Sequence, residues 1–494
     1  MIFWRLHLGF LITALFVGLG AWLLLFKAAA QPHIKDDDSF FNHGSIGNEA
    51  TQGIPYWIWR VLPEVFSDYL PQGPDSTAHD WTAFGFYWDK GSELPVGFSK
   101  KSLGKIPRVS PNCAICHQGR YRLFENSEPQ LVNSGAGTQI DIQAFTRFLI
   151  RAAEDEDRFN ADVILAAVEK HTELPAWEKA IYRYALIPGT KSALLKQAEA
   201  FKWMDSKPDW GIGRIDPFNP VKFGILEIEP DNTIGNSDMM PLWQLHLAEP
   251  EDGNRLSVHW DGLLTDVRET VIAGAIGDGM TYKSFALTEE NLDRIDSYIK
   301  QISPPPSPFR HDIDEASPFF VSASDLRAGE QLYVQNCSSC HEPKGQRFRR
   351  VIPIEEIGTD KHRLDMWTFE AMNKYKNYQA EYDWGFEHFE KTNGYVAVDL
   401  TGLWLRGPYL HNGSVPNLRT LLMRPVDRPT IFYRGSDIVD TENGGFLSGA
   451  SDDAKSRIWR VDTSIAGNSN SGHIWGTDLS PDEKEALLAY LKTK

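Results

Sequence analysis

The sequence is short of cysteine, of positive charge and of long apolar runs, and each shortage narrows what the chain can be. Lys and Arg number 50 against 67 Asp and Glu, a net charge of −17, which withholds the basic face that a nucleic-acid partner requires. The acidic surface suits solubility, and equally a basic redox partner. Composition is otherwise ordinary, 42% hydrophobic and 24% charged over 494 residues, enough for two or three domains with their own cores. The 16 Trp and 27 Phe are what the walls around a large planar cofactor call for, though ordinary cores use them too.

One long uncharged run is present, residues 8–26 (LGFLITALFVGLGAWLLLF), preceded by Arg5 and followed by Lys27 and then Asp36, Asp37 and Asp38. At helical rise it spans roughly 28 Å, close to a bilayer's hydrocarbon core. Ala28-Ala29-Ala30 offers a cleavage site, so residues 1–30 read as a membrane anchor or as a signal peptide. Both readings put the rest outside the cytoplasm: periplasmic and tied to the inner membrane by this helix, or secreted after cleavage.

Four cysteines in an exported chain invite disulfides, but their arrangement argues otherwise. They form Cys113-Ala114-Ile115-Cys116-His117 and Cys337-Ser338-Ser339-Cys340-His341, two CxxCH motifs with nothing left over. Two thiols at this spacing can each attack one vinyl group of the same haem, and the adjacent His lies beneath the iron. We therefore expect two covalently bound haem c groups, with Cys113, Cys116, Cys337 and Cys340 as attachment points and His117 and His341 as proximal iron ligands. A zinc site would have to gather ligands from two motifs far apart in the chain.

Residues 324–333 read as a capped amphipathic helix leading into Cys337. Near the end, Ser480 and Glu483 form a capping box with Pro481 at the first helical position. Two helices bracketing a haem-binding segment are the minimum of a cytochrome c domain. Residues 31–110, rich in Gly, Pro, Trp and Phe, read as a loop-rich arm. The first haem domain spans 111–303, with helical stretches at 142–153 and 161–169 as an insertion. The segment SPPPSP (303–308) marks a stiff spacer, 304–309, before a second haem domain at 310–494. The expected fold is mainly α, two cytochrome c-like domains in tandem with long irregular loops.

The halves echo one another. After the first CxxCH come Leu242-Trp243, His259-Trp260-Asp261-Gly262 and Val267-Arg268-Glu269-Thr270. After the second come Leu403-Trp404, His411-Asn412-Gly413 and Leu418-Arg419-Thr420.

Two CxxCH motifs, His259-Trp260-Asp261-Gly262 and Gly407-Pro408-Tyr409-Leu410-His411-Asn412-Gly413 resemble the bacterial dihaem cytochrome c peroxidase and MauG superfamily. The stretch RGPYLHNGSVPNLRTLL (406–422), with Phe432-Tyr433-Arg434-Gly435 and Gly467-Asn468-Ser469-Asn470-Ser471-Gly472-His473, is closer still to its rubber-oxygenase-like branch. The resemblance covers residues 105–494. It implies that the His117 haem is reactive, with an open or weakly held sixth position, and that the His341 haem is six-coordinate and transfers electrons. It also implies that Trp260 relays an electron between them, and that a calcium ion can sit between the domains, as in some relatives.

The chain departs from the peroxidases at the distal acid, where Met280 stands. Moving a proton between peroxide oxygens needs such a group. Glu269 is the expected substitute, with Asp278 a weaker one. For the sixth ligand of the second haem, His473 leads over Tyr433 and Met423. His246 and His259 flank the first pocket, as propionate or backbone partners or as reversible iron ligands, and His411 fixes a turn or a propionate.

The leading expectation is a peroxidase fed by an external donor such as a small cytochrome c or copper protein. The alternatives are an oxygenase cleaving a hydrophobic polyene with O2, or a dihaem electron carrier without substrate.

Overall fold

The computed structural model describes residues 34–73, 80–250, 253–378, 386–450 and 457–494. The expectation of a mainly α fold needs correcting. The fold is mixed, about 41% helical and 11% strand, with one three-stranded and four two-stranded antiparallel sheets among the described residues. The reason is local: Gly- and Pro-rich connections between helices pair as strands of two to six residues, too short to leave a periodic signature. No helix among the described residues is long and apolar enough to cross a membrane. The apolar run at 8–26 lies outside the described residues.

The segment read as a loop-rich arm is built into the main core. Asp36 caps the helix Asp37–His43 by accepting from the Ser39 amide at 2.8 Å, and Phe40 and Phe41 are buried. A second helix, Tyr56–Val65, buries Trp59, which stacks on Trp81 with ring centroids 4.9 Å apart. The three-stranded sheet (Ile54–Pro55, Ile106–Pro111, Phe98–Leu103, in that order across the sheet) then delivers the chain to Cys113.

The helix Asp37–His43 packs on the helix Tyr282–Gln301. Arg294 donates to Asp37 at 2.6 Å, the Tyr298 hydroxyl donates to Asp38 at 2.6 Å, and the Phe41 and Tyr298 rings lie 5.2 Å apart. A helix before the first CxxCH and a helix after its segment thus bracket it.

The same arrangement surrounds the second motif. Helix Ala323–Asn336, capped by Ser322 rather than Ser324, crosses the C-terminal helix Pro481–Lys492, whose capping box is formed by Ser480 and Glu483. They approach so closely at Gly329 that an added Cβ would collide with the Ala486 carbonyl oxygen. The expected spacer is docked: Pro305 accepts from the Trp404 indole at 3.3 Å, and the Ser307 hydroxyl donates to the Lys492 carbonyl at 2.6 Å.

The sequence echo corresponds to a repeated geometry. Gly262 and Gly413 take left-handed φ of 64° and 59° and close turns onto the His259 and Leu410 carbonyls, at 3.0 and 3.1 Å. Four residues beyond each glycine, Asp266 and Asn417 cap the helices Val267–Gly277 and Leu418–Leu421.

Candidate haem sites

The two CxxCH histidines are held alike. His117 Nδ1 donates to the Met240 carbonyl at 2.7 Å, and His341 Nδ1 to the Val398 carbonyl at 2.6 Å. Each bond fixes the tautomer and leaves Nε2 as the lone-pair nitrogen, the usual outer-shell support of a ligating imidazole. Burial pulls both rings below the ordinary histidine pKa, so both are neutral and able to bind iron.

The thiols fit haem attachment better than zinc. Burial pushes Cys113 and Cys337 up to about 12 and raises Cys116 as well. A thiol that resists ionisation is a poor zinc ligand, whereas a thioether carries no charge. Among the described residues no cysteine belongs to a cluster of three groups able to hold a metal.

Around His341 the chain encloses a cavity with about 1430 Å³ of atom-free space, counting its open mouth. Its walls include Cys337, Cys340, Trp260, Tyr395, His411 and Trp475, and His473 reaches it as well. The His341 and His473 rings face one another with centroids 6.4 Å apart. Two metal–imidazole bonds of about 2.0 Å, with a ring radius at each end, put the centroids of trans ligands about 6 Å apart. The pair therefore fits an iron held from both sides. Tyr433 borders a separate, smaller cavity, and Met423 is absent from the walls of the large one.

The site also has cationic lining suited to haem carboxylates. Arg406 reaches the cavity wall and shares buried Asp399 with Arg349, at 3.4 and 3.0 Å. His411 stacks on Tyr395 with centroids 3.9 Å apart, and burial takes its pKa down to about 3.

Around His117 the arrangement differs. His259 lies near enough to bias the His117 charge. Its Nδ1 is 3.3 Å from Asp261, and its Nε2 is buried without a partner among the described residues. Burial favours the neutral form of Asp261, but Arg363, at 2.6 Å, and His259 outweigh it and hold the carboxyl well below the usual range. His246 Nδ1 donates to the Lys300 carbonyl at 2.9 Å.

Glu269 is turned away from this work. It accepts from His388 Nδ1 at 2.6 Å and from the amides of Glu387 and His388. Met280 is a buried core residue. Asp278, at the end of the helix Val267–Gly277, lies near enough to raise the pKa of both Cys113 and Cys116, and burial pushes its own carboxyl up to about 7.

Fold and site together define a cytochrome c-like, haem-binding architecture. Residues 394–433 match the family described as RoxA-like, cytochrome c-like, a segment that holds Val398, Arg406 and His411. Such a domain implies covalently bound haem c and points to a haem-dependent oxidoreductase or oxygenase. The chain is also similar to the uncharacterised protein y4iJ of Sinorhizobium fredii (strain NBRC 101917 / NGR234), 25% identical over 92% of this chain and 91% of that protein. A second protein of that organism, the uncharacterised y4iM, is 29% identical over 36% of this chain and 50% of its own length.

Proposed function

We propose that the chain is a dihaem c-type oxidoreductase outside the cytoplasm, reducing hydrogen peroxide at the Cys113–Cys116–His117 site with electrons received through the Cys337–Cys340–His341 site. The observation that carries this is the asymmetry of the two histidines. His341 faces a second imidazole at ligand spacing, whereas the His117 site has the Asp278 carboxyl close to its two thiols. When bound, haem c supplies iron that exchanges single electrons and binds small oxygen species.

The protein's own part is positioning and proton handling. The Met240 and Val398 carbonyls orient the proximal rings. Reduction of peroxide to two waters consumes two electrons and two protons. Asp278, with its carboxyl near neutral pKa, holds a proton at Oδ and moves it between the peroxide oxygens; this role falls to Asp278 because Glu269 is engaged by His388. Trp260, on the wall of the His341 cavity, carries the electron between the sites, supported by the bond from the Val396 amide to its carbonyl at 2.8 Å.

A second reading, cleavage of a hydrophobic polyene with O2, is favoured by the family match at 394–433. Peroxide consumption with a reduced small cytochrome c as donor, set against oxygen uptake with a polyene, separates the two. Ferric EPR tests the shared premise: one high-spin signal that peroxide removes, beside one low-spin signal. Two low-spin signals indifferent to peroxide would sink the proposal.

A further inference from the structure

His341 and His473 are steadied in different ways. The His341 ring is fixed by a side-chain bond to Val398, but His473 Nδ1 is buried and has no partner among the described residues. Its backbone is left-handed at φ 46°, directly after Gly472 at φ 73°, a conformation that a β-carbon disfavours. Something other than the ring must hold this residue in place.

Arg428 does so. It is buried, at 5% exposure, and has no carboxylate within hydrogen-bonding reach among the described residues. Its guanidinium donates to five backbone carbonyls. Nε bonds Met423 at 3.2 Å, Nη1 bonds Asn470 at 2.5 Å and Gly472 at 2.9 Å, and Nη2 bonds Leu421 at 3.2 Å and His473 at 3.1 Å. A guanidinium has five N–H donors in a rigid plane, and here each finds an acceptor. Burying a cation without a counter-ion is unfavourable, so the carbonyl cage has to be complete. On the opposite side, the His473 amide donates to Ile357 at 2.8 Å and the Ser471 hydroxyl to Gly358 at 3.0 Å. Gly472 packs so tightly on Gly358 that no side chain would fit.

We propose that Arg428 is the positioning residue of the distal imidazole: by tying residues 470–473 to the end of the helix Leu418–Leu421, it holds the His473 ring at ligand distance across the cavity from His341. This rests on the reading of His473 as the second axial ligand. Lysine at this position keeps the charge but concentrates its donors on one atom, which cannot span five carbonyls.

The experiment measures ferric EPR and optical spectra of the full-length holoprotein for wild type, His473→Ala, Arg428→Met and Arg428→Lys, each with and without added imidazole. The expected result is loss of the low-spin signal in His473→Ala and about a tenfold rise in the high-spin fraction of the His341 haem in both Arg428 variants. Free imidazole should restore the low-spin signal in each. If Arg428→Met does not accumulate, Arg428→Lys carries the test. Loss of the low-spin signal in His473→Ala alone, with the Arg428 variants unchanged, overturns the positioning role while the ligand stands. A low-spin signal that survives His473→Ala overturns the ligand reading itself and the proposal with it.

Discussion

Trp260 and His411 occupy the same place in two copies of one turn. Each lies two residues before a left-handed glycine, Gly262 or Gly413, and six before a helix cap, Asp266 or Asn417. Both residues line the cavity around His341. One turn thus carries an indole and the other a neutral, Tyr395-stacked imidazole, and of these two side chains the indole is the more readily oxidised.

Trp260→Phe should therefore slow electron transfer between the sites while leaving both haem spectra intact. Stopped-flow reduction, followed separately at the two haems, checks this. Unchanged kinetics would remove the relay role.

Asp278→Asn should lower peroxide turnover by roughly 10²–10⁴-fold with haem content retained. In the parent, turnover should fall as pH rises through about 7, where the carboxyl loses its proton. The sign for stability is the same. The folded carboxyl holds its proton above the ordinary Asp value of 3.8, so the fold binds more protons than the unfolded chain across that window, and stability declines from about pH 4 to pH 7. Urea midpoints across this range should slope less in Asp278→Asn.

Glu269→Gln should act differently. It weakens the tie to His388 and its neighbouring amide, at a cost of about 1–3 kcal/mol, while peroxide turnover per folded molecule stays near the parent level. A collapse of turnover with intact stability would return Glu269 to the chemistry.

Asp399→Asn leaves Arg349 and Arg406 without their shared counter-ion. Breaking a buried pair in this way costs about 3–5 kcal/mol, so thermal unfolding should shift down sharply. The helix crossing offers a parallel test: Gly329→Ala forces Ala486 away and should cost about 1–3 kcal/mol, read as a lower thermal midpoint.

Much of this was legible in the residues themselves. The CxxCH motifs, the Ser480–Glu483 box and the helices at 142–154 and 161–169 announce themselves because their signals are local: adjacent ligands, caps and periodic apolar positions. The region before the first CxxCH was harder to read. The helix Tyr56–Val65 carries Pro63 and a cluster of aromatics, a composition that suggests a loop until Trp81 and its neighbours supply packing. The partners of Glu269 and His473 could not be read at all, since His388 lies 119 positions from Glu269 and Arg428 acts on carbonyls, which every residue possesses.

The pairing of the helix Asp37–His43 with Tyr282–Gln301 sets a boundary for anyone dividing this molecule. A fragment begun at residue 111 would retain the first CxxCH but lose the helix that covers it, leaving Tyr298 and the apolar surface beside Phe41 bare. A piece from Asp36 to Gln301 keeps both bracketing helices but loses Trp367, Tyr375 and Phe389, which pack into the same core, and Arg363, which pairs with Asp261. The helix Asp37–His43 thus belongs to the first CxxCH site as structure, and removing it should yield an aggregating polypeptide.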